Sequence, residues 1–380
     1  MSLSEIRERI DKIDDQLTAL FVERMNLAAE VAEEKKKSGL PVYSPKRERE
    51  ILSKVTSQMP DNIAIYAKSF FTTLFDVSSS YQSRLIGTKS TLKEQIKKAV
   101  EEGPKELPKK AIVACQGVEG SYSQQVCDRL FALPSIMYFT SFESVFRAVE
   151  QNLCQYGILP IENSIHGSVT QVYDLMHKYN FHIVKSVKQK IHHTLLVNKG
   201  AKLEDIKEIY SHEQAIGQCS DFIASLKDAK VNYSANTAMA AKYVAESGRT
   251  DIAAISSENC ADIYGLEVLS SDIQNSNSNY TRFICISKDL QVLPGADKIS
   301  LMATTAHRPG SLYRLISKFA VMGINLTKLE SRPIPGKDFE FKFYFDMEAS
   351  VYNDDVLDLL GELSNAPETF SFLGAYSEMS

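Results

Sequence analysis

Two groups of residues in this 380-residue chain have the types and spacing to do chemistry. The first is cationic. Arg24 and Lys35 interrupt a stripe of Ile6, Ile10, Ile13, Leu17, Leu20, Leu27, Ala28 and Val31 at positions where a helical period calls for apolar side chains. They lie eleven residues apart, about three turns, and so share one face. Two cations on an inward face are costly unless negative charge meets them. Spacing alone leaves three readings open: a bound anion, acidic side chains, or surface residues at a frayed stripe. The second group is polar. Glu162-Asn163-Ser164 follows the apolar run Tyr156-Gly157-Ile158-Leu159-Pro160-Ile161, and a helix-like run opens at Val169. Open α/β folds hold ligands at such strand-to-helix junctions. Ser211 and Gln218 follow another strand-like run, and Thr281-Arg282 begins a third. Singly, Thr281 suits any strand, Arg282 is a surface charge and His212 a turn residue. Only together do they suggest a site.

The elements that must position these groups fall into three blocks. From 4 to 37 there is no glycine or proline, which predicts one long helix capped by Ser4 and stopped at Gly39. Ser44-Pro45 opens a second helix with Arg47 and Glu48 on its first turns, and a third spans 62–85. The third helix's stripe of Phe71, Leu74, Phe75 and Leu85 is broken by Ser78 and Gln82. Three helices bury so long a first helix poorly, which predicts an intertwined dimer.

Residues 4–86 resemble the all-helical chorismate mutase family, in the order Arg7, Glu-Arg24, Glu-Glu-Lys35, Lys-Arg47-Glu48, Ser78, Gln82. The resemblance implies that Arg24, Lys35, Arg47 and a partner subunit's copy of Arg7 hold the substrate's carboxylates and ether oxygen. Gln82 is then the second donor to that oxygen, and Glu48 and Ser78 engage the hydroxyl and nearby carboxylate. A pericyclic rearrangement needs no nucleophile, only a dianion held in its reactive conformer and stabilised as the C–O bond breaks. Ser44 stands where bacterial relatives often have Asp.

After a charged linker, 89–109, containing a short helix over 92–101 and ending in Gly103-Pro104 and Pro108, strands alternate with amphipathic helices from 110 to 290. The pattern predicts an α/β domain of two lobes with a cleft between them, like periplasmic binding proteins. Gly117-Val118-Glu119-Gly120-Ser121-Tyr122-Ser123 is not a dinucleotide fingerprint. This block resembles prephenate dehydratase through Gly120-Ser121-Tyr122-Ser123, Pro160-Ile161-Glu162-Asn163-Ser164, His193-Thr194-Leu195, Ser211-His212-Glu213-Gln214 with Gln218, Asn236-Thr237-Ala238 and Thr281-Arg282-Phe283. The resemblance implies that Thr281 assists departure of the ring hydroxyl and that Arg282 holds a carboxylate. Glu162, Asn163, Ser164, Ser211 and Gln218 then orient the substrate. Aromatisation drives such a reaction, so positioning and protonation suffice, without metal or cofactor.

From 296 to 380 the order strand, helix, strand, strand, helix, strand reads as a ferredoxin-like α+β unit. Pro309-Gly310-Ser311-Leu312 and Glu330-Ser331-Arg332-Pro333 resemble the two effector motifs of ACT domains, with Ser311 where the family usually has Ala. That implies L-phenylalanine as effector at Gly310, Ser311, Leu312, Glu330, Ser331, Arg332 and Pro333.

Composition fits such a chain. A 44% hydrophobic, 24% charged sequence is globular, and a net charge of −5 argues against a nucleic-acid partner. Six scattered cysteines without a C-x-x-C pair, no apolar leader and no membrane-length apolar run predict a cytoplasmic protein with reduced thiols. The expectation is therefore a multi-domain enzyme: helical mutase over 1–88, dehydratase over 110–290, regulatory domain over 296–380. Its substrates are chorismate and prephenate, and it assembles as a homodimer or homotetramer. An amino-acid-sensing binding protein is the competing reading.

Overall fold

The computed structural model describes residues 1–87, 90–226, 229–334, 336, 340–366 and 368–380. The glycine- and proline-free opening folds as α1 (Leu3–Ser38), followed by α2 (Pro45–Ser57) and α3 (Asp61–Ile86). Ser2, not Ser4, is the cap of α1: its hydroxyl accepts from Glu5 N while the Glu5 carboxylate accepts from Ser2 N. This reciprocal box starts the helix two residues earlier than expected. Gly39 ends it in the left-handed conformation. Within one chain α1 buries only Ala28 and Ala32, and Ile6, Ile10, Ile13, Leu17 and Leu20 stay 40–60% exposed.

A fourth helix, α4 (Thr91–Glu102), lies in the span expected to be a linker, whose first residue, Lys89, is outside the described residues. It is packed rather than loose: Ile96 is fully buried with Leu92, Ala99 and Val100 around it in the C-terminal core, and Lys93 pairs with Asp358.

Two sheets make the middle block. The first holds β1 (Lys110–Gln116), β2 (Leu133–Phe139), β3 (Tyr156–Asn163), β4 (Gly167–Ser168), β5 (His182–Lys190), β11 (Tyr280–Ser287) and β16 (Glu378–Met379). Its order is β16-β5-β11-β3-β1-β2, with β4 paired to β3. Helices α5 (Tyr122–Leu130), α6 (Phe142–Glu150) and α7 (Thr170–Tyr179) pack on it. The second sheet runs β10 (Glu267–Ser270), β6 (Thr194–Val197), β9 (Ile252–Ser256), β7 (Glu208–Ser211), β8 (Lys230–Tyr233). It carries α8 (Glu213–Gln218), α9 (Ser220–Ser225), α10 (Thr237–Ser247) and α11 (Asn259–Tyr264). The chain crosses between lobes after β5 and returns at β11. Thr281 and Gln218 therefore come from different lobes.

The last block is β12 (Lys298–Thr304), α12 (Ser311–Val321), β13 (Asn325–Pro333), β14 (Phe341–Glu348), α13 (Asp354–Ser364) and β15 (Phe370–Tyr376). Its antiparallel sheet has the order β13-β14-β12-β15. The expected start of β14 at Phe339 lies outside the described residues. Alternation along these strands gives the sheet two distinct faces. Ile299, Leu301, Ala303, Phe345 and Met347 pack under α12, α13 and α4. Met302, Tyr344, Leu373 and Tyr376 pack into the core of the first lobe instead. β15 runs so near β5 that a Cβ on Gly374 would lie 2.3 Å from the Ile183 carbonyl oxygen, so only glycine fits there. All six cysteines are buried free thiols, and no described helix is long and apolar enough to cross a membrane.

Candidate active sites

The first site lies between α1 and α3. Ser78 and Gln82, the two polar breaks in the α3 stripe, are buried at 3% and 8% exposure. They face the two cations of α1. Arg24 Nη1 donates to Ser78 Oγ, and Lys35 Nζ donates to Gln82 Oε1 at 3.1 Å and to the Val42 carbonyl at 2.5 Å. The Arg24 guanidinium also sits 5.8 Å from the Phe75 ring centroid. These partners are all uncharged, and burial lowers the pKa of both cations. Such a pair is poised for an outside anion. Lys35 also fixes the Gln82 amide: with Oε1 accepting from the ammonium, the NH₂ group is left for another acceptor.

Glu48 is partly buried beside this site. Burial raises its carboxyl pKa, the Arg314 charge pulls it down, and Asp76 pushes it up. Arg47 is exposed and lies 3.4 Å from Glu50. Arg7 is exposed and is not brought to the site. It is seventeen residues from Arg24 on one helix, roughly 25 Å, so it can serve only a different copy of the site.

The second site lies where β3 and β11 end side by side, with Thr281 opposite Asn163. Asn163 Nδ2 donates to Thr281 Oγ1 at 3.0 Å and to Asn279 Oδ1 at 2.9 Å. Its Oδ1 accepts from Ile165 N and His166 N, both at 3.0 Å, in the turn between β3 and β4. Asn279 Nδ2 donates to Gln218 Oε1 at 2.8 Å, and His193 Nε2 lies 2.7 Å from the same oxygen. A chain of amides thus runs across the lobes from His193 to Thr281. Gln218 is held by its oxygen, which leaves its NH₂ free. Thr281 Oγ1 accepts from Asn163, which leaves its proton free to donate. His193 belongs to a motif quoted above and Asn279 stands two residues before another, but nothing in their spacing marks them as parts of this network. Ser164 ties the two strand ends together, donating to the Ser278 carbonyl and accepting from Tyr280 N, both at 3.0 Å. Ser211 is fully buried and donates to the Ile255 carbonyl at 2.6 Å, so it lies beneath the cleft rather than in it.

Arg282 and Glu162 are not brought to Thr281. They pair across β11 and β3 one residue away, and on a pleated strand successive side chains face opposite sides. Arg282, 13% exposed, makes ion pairs with Asp346 of β14 and, at 3.4 Å, with Glu162. Burial alone would lower the Arg282 pKa, but the Asp346 charge, with Tyr376 and Tyr173, more than offsets it. Glu162 Oε1 accepts from Lys328 Nζ of β13 at 2.7 Å. Arg282, expected to hold a carboxylate, and Glu162, expected to orient the substrate, are therefore both engaged by the C-terminal domain.

In that domain Gly310, Ser311 and Leu312 line a concavity of about 320 Å³ with His307, Arg308 and Phe341. Gly310 has φ +81°, the left-handed turn that starts α12. Glu330 and Arg332 lie elsewhere. Glu330 accepts from Ser168 Oγ at 2.9 Å, and Arg332 pairs with Asp174 at 2.9 Å. The concavity's lining includes Phe343 and Phe341, the β14 partners of Ser331 and Pro333, but not Glu330 or Arg332. Ser331 and Pro333 alternate with Glu330 and Arg332 along β13.

Two family models match the chain, one described as chorismate mutase type II over residues 6–83 and one as prephenate dehydratase over 113–291. A bifunctional chorismate mutase/prephenate dehydratase of Aquifex aeolicus is 31% identical over 379 residues, covering 98% of this chain and 97% of that protein. Arogenate dehydratase 2 of Petunia hybrida is 37% identical over 281 residues, covering 70% of this chain and 71% of its own. Among solved structures, the prephenate dehydratase of Arthrobacter aurescens in complex with L-Phe is 28% identical with a TM-score of 0.64. It covers 70% of this chain and 89% of its own.

Proposed function

The chain belongs to the bifunctional chorismate mutase/prephenate dehydratase family, and we propose from that premise how its residues divide the two reactions of phenylalanine biosynthesis. The helical domain rearranges chorismate to prephenate. Arg24, Lys35, Arg47 and the Arg7 of a second copy hold the dianion, and Lys35 with the Gln82 amide stabilises charge on the ether oxygen as the C–O bond breaks. Glu48 and Ser78 engage the substrate hydroxyl and its neighbouring carboxylate.

In the α/β domain prephenate loses carbon dioxide and its ring hydroxyl. The electron pair of the breaking C–CO₂ bond enters the ring, and the hydroxyl leaves as water after receiving a proton. Thr281 delivers that proton, because its oxygen already accepts from Asn163 and its hydrogen is free. A threonine hydroxyl is a weak acid, so neighbouring groups or solvent must reprotonate it in the same turnover. The free NH₂ group of Gln218 is placed to hold a substrate carboxylate. The observation that carries this reading is the continuous amide network ending on Thr281.

The C-terminal unit is the ACT domain, with L-phenylalanine as a feedback inhibitor. Because Glu330 and Arg332 are engaged away from the Gly310 concavity in one chain, the reading places the effector between copies of the domain. The exposed stripe of α1 supports an intertwined homodimer, and six buried reduced thiols support a cytoplasmic location. Lys35→Ala should abolish loss of chorismate absorbance and spare phenylpyruvate formation from prephenate. Thr281→Ala should do the reverse. Loss of both activities in either folded variant refutes the division.

A further inference from the structure

The catalytic ends of β3 and β11 have a reverse side, and the C-terminal domain grips it. Directly behind Asn163 and Thr281, one residue along each strand, stand Glu162 and Arg282. Lys328 Nζ reaches Glu162 Oε1 at 2.7 Å and Ser168 Oγ at 2.7 Å. Glu162 and Ser168 are the paired residues of the β3–β4 hairpin, one register step from the Asn163–Gly167 pair. The turn of this hairpin supplies the two backbone N–H groups that orient the Asn163 side chain. Lys328 thus bridges the two strands at the base of the loop that aims Asn163 at Thr281.

Beside it, Asp346 holds Arg282 and accepts from Ser300 Oγ at 2.5 Å. The Arg282–Asp346 pair is shielded from solvent, at 13% and 7% exposure, and the Lys328–Glu162 pair is partly shielded, at 11% and 35%. Glu330, two residues beyond Lys328 on β13, caps the same hairpin through Ser168.

We infer that Lys328 is a positioning residue of the dehydratase, supplied by the C-terminal domain and acting through Glu162 and Ser168 on the Asn163–Thr281 pair, with Asp346 holding the neighbouring Arg282. The inference rests on reading Thr281 as the dehydratase centre and extends it to regulation: β13 also carries Glu330 to Pro333, so displacement of that strand reaches the catalytic hairpin through Lys328 and Glu330.

The test compares full-length wild type with Lys328→Met, Lys328→Arg, Glu162→Gln, the Lys328→Met/Glu162→Gln double variant and Thr281→Ala. Methionine keeps an unbranched stem while removing the ammonium, which bonds Glu162 and Ser168 and lies 5.3 Å from the Tyr173 ring centroid. Prephenate turnover is followed by phenylpyruvate absorbance, and mutase activity of the same preparations reports folding. Loosening a loop that aims a reacting group should lower dehydratase kcat about tenfold in Lys328→Met with KM changed less than about twofold. Lys328→Arg should recover most of the loss. The double variant should lose less than the product of the two single losses, because both substitutions break the same Lys328–Glu162 contact. Wild-type kcat in Lys328→Met, or losses that multiply in the double variant, would overturn the inference. Should Thr281→Ala keep its dehydratase activity, the reading beneath falls, and the inference with it. Inactive Thr281→Ala beside a fully active Lys328→Met sinks the inference alone.

Discussion

His193 offers the most direct check on the amide network, because it lies at the end far from Thr281. Its Nε2 is 2.7 Å from Gln218 Oε1, which also accepts from Asn279 Nδ2 at 2.8 Å. Replacing His193 with Leu removes one of two donors that keep the Gln218 oxygen turned inward. A neutral intramolecular hydrogen bond contributes about 1 kcal/mol net, and the cost rises by up to about another 1 kcal/mol when a buried acceptor is left short of a partner. The Gln218 amide, freed to rotate, then presents NH₂ to the substrate only part of the time. A loss of about 1–2 kcal/mol of transition-state stabilisation lowers dehydratase kcat/KM by about 5- to 30-fold. His193→Gln can place an Nε2 donor near the same oxygen and should restore most of the activity. The assay is prephenate turnover at neutral pH, with mutase activity in the same sample as the control for folding. Equal rates for wild type and His193→Leu, or a Gln variant as slow as the Leu variant, would refute the idea that the network is set from His193.

Acid should weaken this fold through two buried histidines. Burial lowers the pKa of His193 and His182 below their ordinary 6.5, and the Nδ1 atom of each is buried without a partner among the described residues. The unfolded chain therefore binds more protons below about pH 6.5, and stability falls as pH drops through that value while staying flat with respect to these groups above about pH 7.5. Urea midpoints measured from pH 5 to 8 check it, and an unchanged midpoint across that range contradicts it. Ile13→Asp, in the exposed stripe of α1, should yield monomers in sedimentation and lower mutase activity at least about tenfold by removing the second copy's Arg7, with dehydratase kept. A variant that sediments as a monomer with full mutase activity would rule out any contribution from a second copy.

How far a sequence reveals a site depends on whether its residues stay within one periodic element. The α1 and α3 stripes have a helical period, so polar residues interrupting them, Arg24, Lys35, Ser78 and Gln82, must meet in the bundle, and they do. Strand period is two, and reading Thr281-Arg282 or Glu162-Asn163 as one cluster ignores it. Alternation sends Thr281 and Asn163 to one face and Arg282 and Glu162 to the other, as the β3–β11 register shows. His193 and Asn279 escape because their meeting depends on how two lobes close. The short strands β4, β10 and β16, of two to four residues, have too few alternations to register as a period. Helix α4 illustrates the opposite error. Its composition is that of a linker, yet Leu92, Ile96, Ala99 and Val100 form a stripe at helical spacing that the C-terminal core accepts.

The two enzymes share this C-terminal domain but are tied to it by contacts of different strength. Its sheet face meets the dehydratase through buried groups: Met302, Leu373 and Tyr376 in the common core, Tyr344 donating to the Tyr173 carbonyl at 2.8 Å, and the Lys328 and Asp346 contacts. Its helix face meets the mutase through polar and partly exposed groups: Arg84 with Asp355, Ser80 with Glu362 at 3.4 Å, and Arg314 with the Tyr43 hydroxyl at 3.3 Å. Ion pairs as exposed as Arg84–Asp355, at 60% and 49%, contribute about 0–1 kcal/mol and are screened by salt. Buried contacts cannot be given up so cheaply. A shift of the domain therefore carries the Asn163 hairpin with it, whereas the mutase helices can slip against α12 and α13 and keep Lys35 and Gln82 together. Arg314 of α12 also bears on the mutase domain through its charge, which acts on Glu48 and Asp76. An effector lodged at the start of α12, three residues from Arg314, would thus act on the mutase electrostatically and on the dehydratase mechanically.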